Sequence, residues 1–304
     1  MRILVNTPTG KVGRLVTRHL LDAGLDLTLI ARHPEKLEGL GTRAPVVQGE
    51  LDDPAVLGRA TEGVDAMFWV TPGLANPEYL RWSHDLAKLA VATARKNGVK
   101  RAVVLSSISA QVPRGVGPSS SLHQVEREFR AGFTDLIILR PTFFMENHFG
   151  SIASISTMGA IFAPIAGSVR LPQIATRDIA ARAAALLGDG TWTGQRVLGL
   201  HGPADLSYEQ TAQTLGEALA RPVRFVQVTG EQAKQAMLGT GLPAYIADAY
   251  VEMYEAMGSG VFQQAEPRTP ETTTPTTLRL FATDTLKPAI EAVAKAGAVP
   301  APPR

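Results

Sequence analysis

The chain has 304 residues, 45% of them apolar, a formal net charge of +2 and no cysteine. That length suits one large α/β domain, or a nucleotide domain with a smaller lobe. The lack of thiols excludes disulfides, thiolate metal sites and a cysteine nucleophile, and the evenly spread charge argues against nucleic acid or an anionic membrane as partner.

Arg2 to Val5 reads as a short apolar strand, and Asn6-Thr7-Pro8-Thr9-Gly10-Lys11-Val12-Gly13 as a tight loop opening a helix. Arg14 to Gly24 gives an amphipathic helix, and Leu27 to Ala31 a second strand. Strand, glycine-bearing turn, helix, strand is the first half of a dinucleotide-binding unit, whose turn offers backbone N–H groups and a helix N-terminus to a pyrophosphate. Thr7, Thr9, Gly10, Lys11, Val12 and Gly13 are therefore the expected phosphate contacts. Gly10 lets the backbone approach the phosphates, and Gly13 lets the helix pack closely on the sheet. The loop departs from the common glycine-rich pattern, with Thr7 where a first glycine would stand and Pro8 offering no N–H.

Arg32 follows the second strand, and no Asp or Glu stands at the strand end to hold ribose hydroxyls. An Arg there accommodates a 2′-phosphate, so Arg32 and Lys36 point to NADP(H). The alternative is that both are ordinary solvated cations.

Beyond Arg32 the alternation continues. Strands are expected at Val46-Val47, Ala66 to Val70, Ala102 to Leu105 and Asp135 to Leu139. Helices are expected at Pro54 to Thr61, Pro77 to Asn97 and Ser121 to Ala131. The expected fold is a doubly wound parallel Rossmann sheet with a smaller C-terminal α/β lobe. Ligands in such sheets lie beyond the carboxyl ends of the strands.

The pattern changes near residue 150. The nucleotide domain is placed at 1–150, with 174–200 returning to it, and the lobe at 151–173 and 201–296. Ser151 to Gly167 is apolar and interrupted by Gly159, Pro164 and Gly167; it reads as an irregular cover for the site. Asp178 to Leu187 is a helix and Val197 to Leu200 a strand. Ser207 to Ala220 is a helix opened by a capping box, Ser207-Tyr208-Glu209-Gln210. Val223 to Val228 is a strand, and Gly230 to Leu238 and Pro243 to Met257 are helices. Ala265 to Thr277 reads as an exposed loop and 297–304 as a flexible tail.

Several segments in order resemble the NmrA-like, atypical short-chain dehydrogenase/reductase family. They are Thr9-Gly10-Lys11-Val12-Gly13, Ala31-Arg32-His33-Pro34-Glu35-Lys36, Val47-Gln48-Gly49-Glu50-Leu51-Asp52-Asp53, Leu139-Arg140-Pro141-Thr142-Phe143-Phe144-Met145-Glu146-Asn147, Thr176-Arg177-Asp178 and Gly202-Pro203-Ala204-Asp205. The resemblance spans roughly residues 1–285. It implies a Rossmann domain with a small substrate lobe, and NAD(P)H-dependent reduction of quinones, azo dyes, imines or related conjugated molecules. Some relatives are instead cofactor sensors without turnover. It also implies that Glu50 and Leu51 lie near the adenine, that Thr71-Pro72 hold the ribose and nicotinamide, and that Pro141-Thr142 border the carboxamide.

Ordinary short-chain dehydrogenases use a Ser with a Tyr-x-x-x-Lys pair. Ser106 or Ser107 stands in the right place, but no Tyr occurs between Tyr79 and Tyr208 and no Lys between Lys100 and Lys234. Alcohol oxidation through that dyad is not expected. His123 is the substitute, as a proton donor beside Ser107 or as a lining or helix-capping residue, with Glu126 anchoring the helix. A conjugated acceptor relaxes the demand for a proton, so the site mainly has to stack it on the nicotinamide. Phe144, Met145, Asn147, His148, Phe149 and Phe162 are the expected substrate contacts. No cluster has metal-ligand spacing.

The sequence thus points to an NADPH-dependent reductase of a planar conjugated molecule, quinone or enone first and imine second. The alternatives are an NADP(H)-sensing regulator, which alone would need a protein partner, or a redox-neutral enzyme that has lost its cofactor. With no apolar run near the ~20 residues of a membrane helix and a first strand in place of a signal peptide, a soluble cytoplasmic protein is expected, with homodimer assembly open.

Overall fold

A computed structural model of the chain describes residues 1–41, 44–74, 76–263 and 266–296; the expected tail at 297–304 lies outside them. In chain order the elements begin β1 (Arg2–Val5), α1 (Gly13–Asp22), β2 (Asp26–Ala31), β3 (Val46–Gln48), α2 (Pro54–Ala60), β4 (Ala66–Val70), α3 (Tyr79–Lys96), β5 (Arg101–Leu105), α4 (Ser120–Gly132) and β6 (Asp135–Pro141). There follow β7 (Phe143–Phe144), α5 (Ile152–Met158), β8 (Ala160–Ala163), β9 (Arg170–Ile174), α6 (Thr176–Gly188), β10 (Gln195–Leu200), β11 (Asp205–Ser207) and α7 (Tyr208–Leu219). The chain closes with β12 (Arg224–Gln227), α8 (Gly230–Gly239), α9 (Ala244–Gly258), α10 (Leu278–Phe281), a π turn over Ala282–Leu286 and α11 (Lys287–Ala296).

Two compact units divide these elements. The first comprises Met1–Pro113, Ser119–Arg140 and Thr176–Gly199; the second comprises Arg114–Pro118, Pro141–Ala175 and the chain from Leu200 onward. The first unit is built on a seven-stranded sheet in the order β10-β6-β5-β4-β1-β2-β3. Its pairs from β3 through β6 are parallel. The strands are short apolar runs because helices cover both faces: Ile3, Leu4, Val5, Met67, Phe68 and Trp69 are fully buried. Strand order reverses between β1 and β4, which makes their carboxyl ends the crevice where a doubly wound sheet takes its ligand.

Asn6 bridges that crevice. Its Nδ2 donates to the Val70 carbonyl and its Oδ1 accepts from the Val70 N–H, both at 2.8 Å. One side chain thereby supplies the ladder bonds that the diverging backbones cannot make.

The second unit holds a three-stranded sheet in the order β11-β9-β7, antiparallel between β11 and β9 and parallel between β9 and β7. A separate parallel pair joins β8 to β12. Its core packs Met145, Ile152, Ile155 and Ile161 with Leu215, Leu219, Phe281 and Leu286. The capping box at Ser207–Gln210 forms as expected, and Thr229 and Gln232 make a second one at the start of α8.

Four expectations are altered by the structure. Residues 141–150 join the second unit, because Phe143 and Phe144 pair with Gln173 and Ile174 of β9. Arg114–Pro118 also belongs to the second unit. There the Gly117 N–H donates to Glu252 Oε2 at 2.9 Å, and a Cβ on Gly117 would meet the Ala249 carbonyl at 2.2 Å. The stretch 151–167 is regular rather than an irregular cover. A short helix stops at Gly159 in the left-handed region (φ 58°), and β8 follows into the unit's interior. Finally, the Thr-rich stretch is not an exposed loop where it follows Thr269. His201 N–H donates to the Thr272 carbonyl and Thr274 N–H to the His201 carbonyl, each at 2.8 Å, and Thr272, Thr274 and Thr276 are buried. Alternation of buried threonines is the period of an extended strand. Among the described residues no helix is long and apolar enough to cross a membrane.

Candidate active site

The loop between β1 and α1 turns on itself, with the Gly10 N–H donating to the Thr7 carbonyl at 3.1 Å and the Arg14 N–H to the Gly10 carbonyl at 3.0 Å. Gly13 is fixed by space: a Cβ there would lie 2.0 Å from the Thr7 carbonyl oxygen. Val12, which precedes α1, supplies no side-chain cap, and the first turn holds no acidic residue. The positive end of the helix is therefore not neutralised by its own chain. Thr9, Gly10 and Lys11 are exposed beside it, whereas Pro8 and Val12 are buried. This cradle fits a dinucleotide diphosphate.

Arg32 and Lys36 stand exposed just past β2. The Arg32 Nε lies 3.8 Å from Glu50 Oε2, with both side chains mostly in solvent. Such a pair contributes about 0–1 kcal/mol, which leaves the guanidinium available to an incoming anion. Of the acids after β3, Asp52 accepts from Trp82 Nε1 and Asp53 caps α2 through the Ala55 N–H, each at 2.8 Å. Glu50 and the half-buried Leu51 precede them. Thr71, after β4, is buried and accepts from Trp69 Nε1 at 3.0 Å; Pro72 is half-buried.

Past β5, Ser106 and Ser107 have separate environments. The Ser106 hydroxyl is buried and donates to Glu126 Oε1 at 2.5 Å, and its N–H donates to the Leu139 carbonyl at 2.8 Å. Glu126 is clasped in turn by Arg140, through Nε at 2.9 Å and a terminal nitrogen at 2.6 Å. This buried triad anchors α4 to the sheet. Ser107 is half-buried and accepts from the Ser119 hydroxyl at 3.0 Å. His123 Nδ1 lies 3.0 Å from the Ala110 carbonyl. A carbonyl only accepts, so Nδ1 carries the proton, and Nε2 is the nitrogen that can accept one. Ser119, Arg140 and the buried Ser109 were not legible as site residues. For Arg140 the signal is a lone cation ending an apolar strand.

In the second unit the expected residues separate by burial. Met145 packs among Ile152, Ile155 and Phe281, and Phe149 meets Phe281 edge-on with ring centroids 6.0 Å apart. Phe144 is half-buried and Asn147 exposed, while Phe162 on β8 keeps 39% of its surface exposed. The peptide N–H of Thr142 donates to the Leu200 carbonyl at 3.0 Å; its hydroxyl is buried with no hydrogen-bond partner among the described residues. Pro141 is buried.

His148 is buried, with Nε2 2.8 Å from Gln173 Oε1, and Gln173 Nε2 donates to Thr211 at 2.7 Å. Burial lowers its pKa despite the Gln173 bond, and burial with the nearby Arg268 charge lowers that of His201. Both imidazoles are thus neutral in the fold at neutral pH. Below the ordinary histidine value of about 6.5, the unfolded chain binds protons that the folded chain refuses. Stability is then complete above that pH and lost as pH falls toward the lowered folded values. Urea midpoints should drop between pH 7.5 and 5.5, and His148→Gln should shrink the drop without abolishing it, since His201 remains. An equal drop in wild type and variant would remove His148 from this account.

A family model described as NAD(P)H-binding matches residues 8–189. The chain is 34% identical to an NAD(P)H azoreductase of Xenophilus azovorans over 254 residues, 83% of this chain and 86% of that protein. It is 33% identical to a (4-alkanoyl-5-oxo-2,5-dihydrofuran-3-yl)methyl phosphate reductase of Streptomyces griseus over 273 residues, 89% of this chain and 92% of that one. An NADPH-dependent quinone oxidoreductase from Escherichia coli, solved with NADPH, shares the fold: TM-score 0.79 at 20% identity, covering 97% of this chain and 100% of that one. With the family model matching more than half of the chain and relatives above 30% identity along most of its length, the chain belongs to the NAD(P)H-binding family of Rossmann-fold oxidoreductases.

Proposed function

We propose that the protein is an NADPH-dependent reductase of a planar conjugated small molecule: a quinone, enone, imine or azo compound. The observation that carries the cofactor choice is Arg32, exposed just past β2 and, among the described residues, ion-paired only weakly in solvent with Glu50. The relatives named as reductases support the reaction class. Bound NADPH supplies hydride, and the residues of this chain bind, orient and exclude water. Thr7 and Thr9 through Gly13 hold the diphosphate, Arg32 and Lys36 the 2′-phosphate, and Glu50 and Leu51 the adenine. Thr71 and Pro72 meet the ribose and nicotinamide, with Ser106 bracing the loop through Glu126. The unpartnered Thr142 hydroxyl, beside Pro141, takes the carboxamide. Phe144, Asn147 and Phe162 contact the acceptor, while Met145, His148 and Phe149 pack within the second unit. Ser107 and His123 serve the anion that forms on the acceptor.

Arg32→Ala is expected to weaken NADPH binding about tenfold to a hundredfold, the worth of one charge-assisted contact, and to leave NADH binding nearly unchanged. Calorimetric titration of both nucleotides checks this, and an equal loss for NADH would sink the 2′-phosphate assignment. NADPH oxidation with azo dyes, quinones, enones and imines then tests the reaction. Tight binding with no turnover of any class would favour the cofactor-sensor reading.

A further inference from the structure

Ser119 stands at the N-cap of α4, where serine usually accepts a hydrogen bond from the first-turn amides and stabilises the helix by about 1 kcal/mol. Here it makes no such bond. A 3-10 turn over Gly117–Ser119 runs straight into α4, so Ser119 has a helical backbone (φ −70°, ψ −16°). Its hydroxyl turns instead to Ser107 and donates to it at 3.0 Å. The next hydroxyl along, on the buried Ser109, is 3.4 Å from Ser107, beyond the 2.5–3.0 Å of a good O–H···O bond. The loop is also braced by the Ala110 N–H, which donates to the Ser107 carbonyl at 3.0 Å. With Ser119 donating to Ser107, the Ser107 proton has no good recipient among the neighbouring hydroxyls.

We propose that Ser119 is a positioning residue: by donating to Ser107 it turns the Ser107 O–H outward, toward the oxygen or nitrogen on which the acceptor gathers negative charge. This rests on the reductase reading. In the reaction the acceptor gains two electrons and a hydrogen nucleus from reduced nicotinamide, which is left oxidised. Ser107 hydrogen-bonds the resulting anion and is itself unchanged, and the neutralising proton comes from water. A fixed donor aimed at developing charge acts on kcat more than on binding.

The test compares wild type, Ser119→Ala, Ser119→Thr, Ser107→Ala and the double alanine variant, with NADPH and a turned-over azo dye or quinone. Ser119→Ala is expected to lower kcat between about tenfold and a hundredfold, the scale of a misplaced catalytic group. The NADPH dissociation constant should stay put, Tm should fall only by the little that one lost side-chain hydrogen bond costs, and Ser119→Thr should recover most of the rate. The double variant should be no slower than Ser107→Ala, since Ser119 acts only through Ser107. Losses that multiply in the double variant, or an unchanged kcat in Ser119→Ala, would overturn the proposal. A fallen Tm with wild-type kcat would make Ser119 a helix cap and overturn it too. Wild-type protein that binds NADPH but reduces none of these acceptors removes the reductase reading itself, a failure seen before any variant is made.

Discussion

Replacing Gly13 with alanine is expected to cost about 1–3 kcal/mol of stability, the usual range for forced overpacking, and to abolish tight NADPH binding. The added Cβ would lie 2.0 Å from the Thr7 carbonyl oxygen and 2.8 Å from its carbon. Both are backbone atoms, so relief requires moving either the loop or α1. Alanine is a better helix former than glycine by up to about 1 kcal/mol, so any observed loss understates the clash. Gly10→Ala is the control within the same loop. A Cβ there would sit 3.4 Å from the Thr7 carbonyl, a tolerable contact, on a residue exposed where the diphosphate approaches. It should leave the unfolding midpoint near wild type and weaken NADPH binding. Denaturant unfolding with nucleotide titration separates the two. Equal stability of Gly13→Ala and wild type would refute the steric account.

Arg140→Met should be more damaging, by about 3–5 kcal/mol, the cost of leaving a buried ion without its partner. The Arg140 and Glu126 side chains are only 10% and 4% exposed, and Ser106 leans on the same carboxylate. Pairing Arg140→Met with Glu126→Leu should restore much of that loss, because an apolar pair of similar volume avoids the desolvation penalty. Urea midpoints of the two single variants and the double decide it. If the double variant is as unstable as the sum of the singles, the cost lies in packing and not in charge.

The first unit was largely legible from sequence because its signals are local. A buried parallel strand is a short apolar run, and each turn back to a helix carries a polar or glycine break. The Ser207 box is legible from four residues. The same spacing at Thr229-Gly230-Glu231-Gln232 makes an identical cap and can be found by the same rule. Strand ends were legible, and with them the positions of the phosphate loop, Arg32, Ser107 and Thr142 just beyond β1, β2, β5 and β6. What was hidden depends on which strands become neighbours. Glu126 and Arg140 are fourteen residues apart and meet because β6 lies beside β5, while α4, between them in sequence, packs back on the sheet. Ser119 looked like one serine in a run of three, and only its direction toward Ser107 sets it apart. Alternating burial at Thr272, Thr274 and Thr276 was masked by Pro275, which reads as a loop residue.

The parallel pairing of β8 with β12 also has a consequence for synthesis. As the chain leaves the ribosome, Ala160–Ala163 appears well before Arg224–Gln227, and among the described residues no other strand pairs with it. For that interval Ile161 and Phe162 form an unpaired apolar edge, the kind that seeks another chain. Lowering the growth temperature, which slows association through that edge, should therefore raise soluble yield.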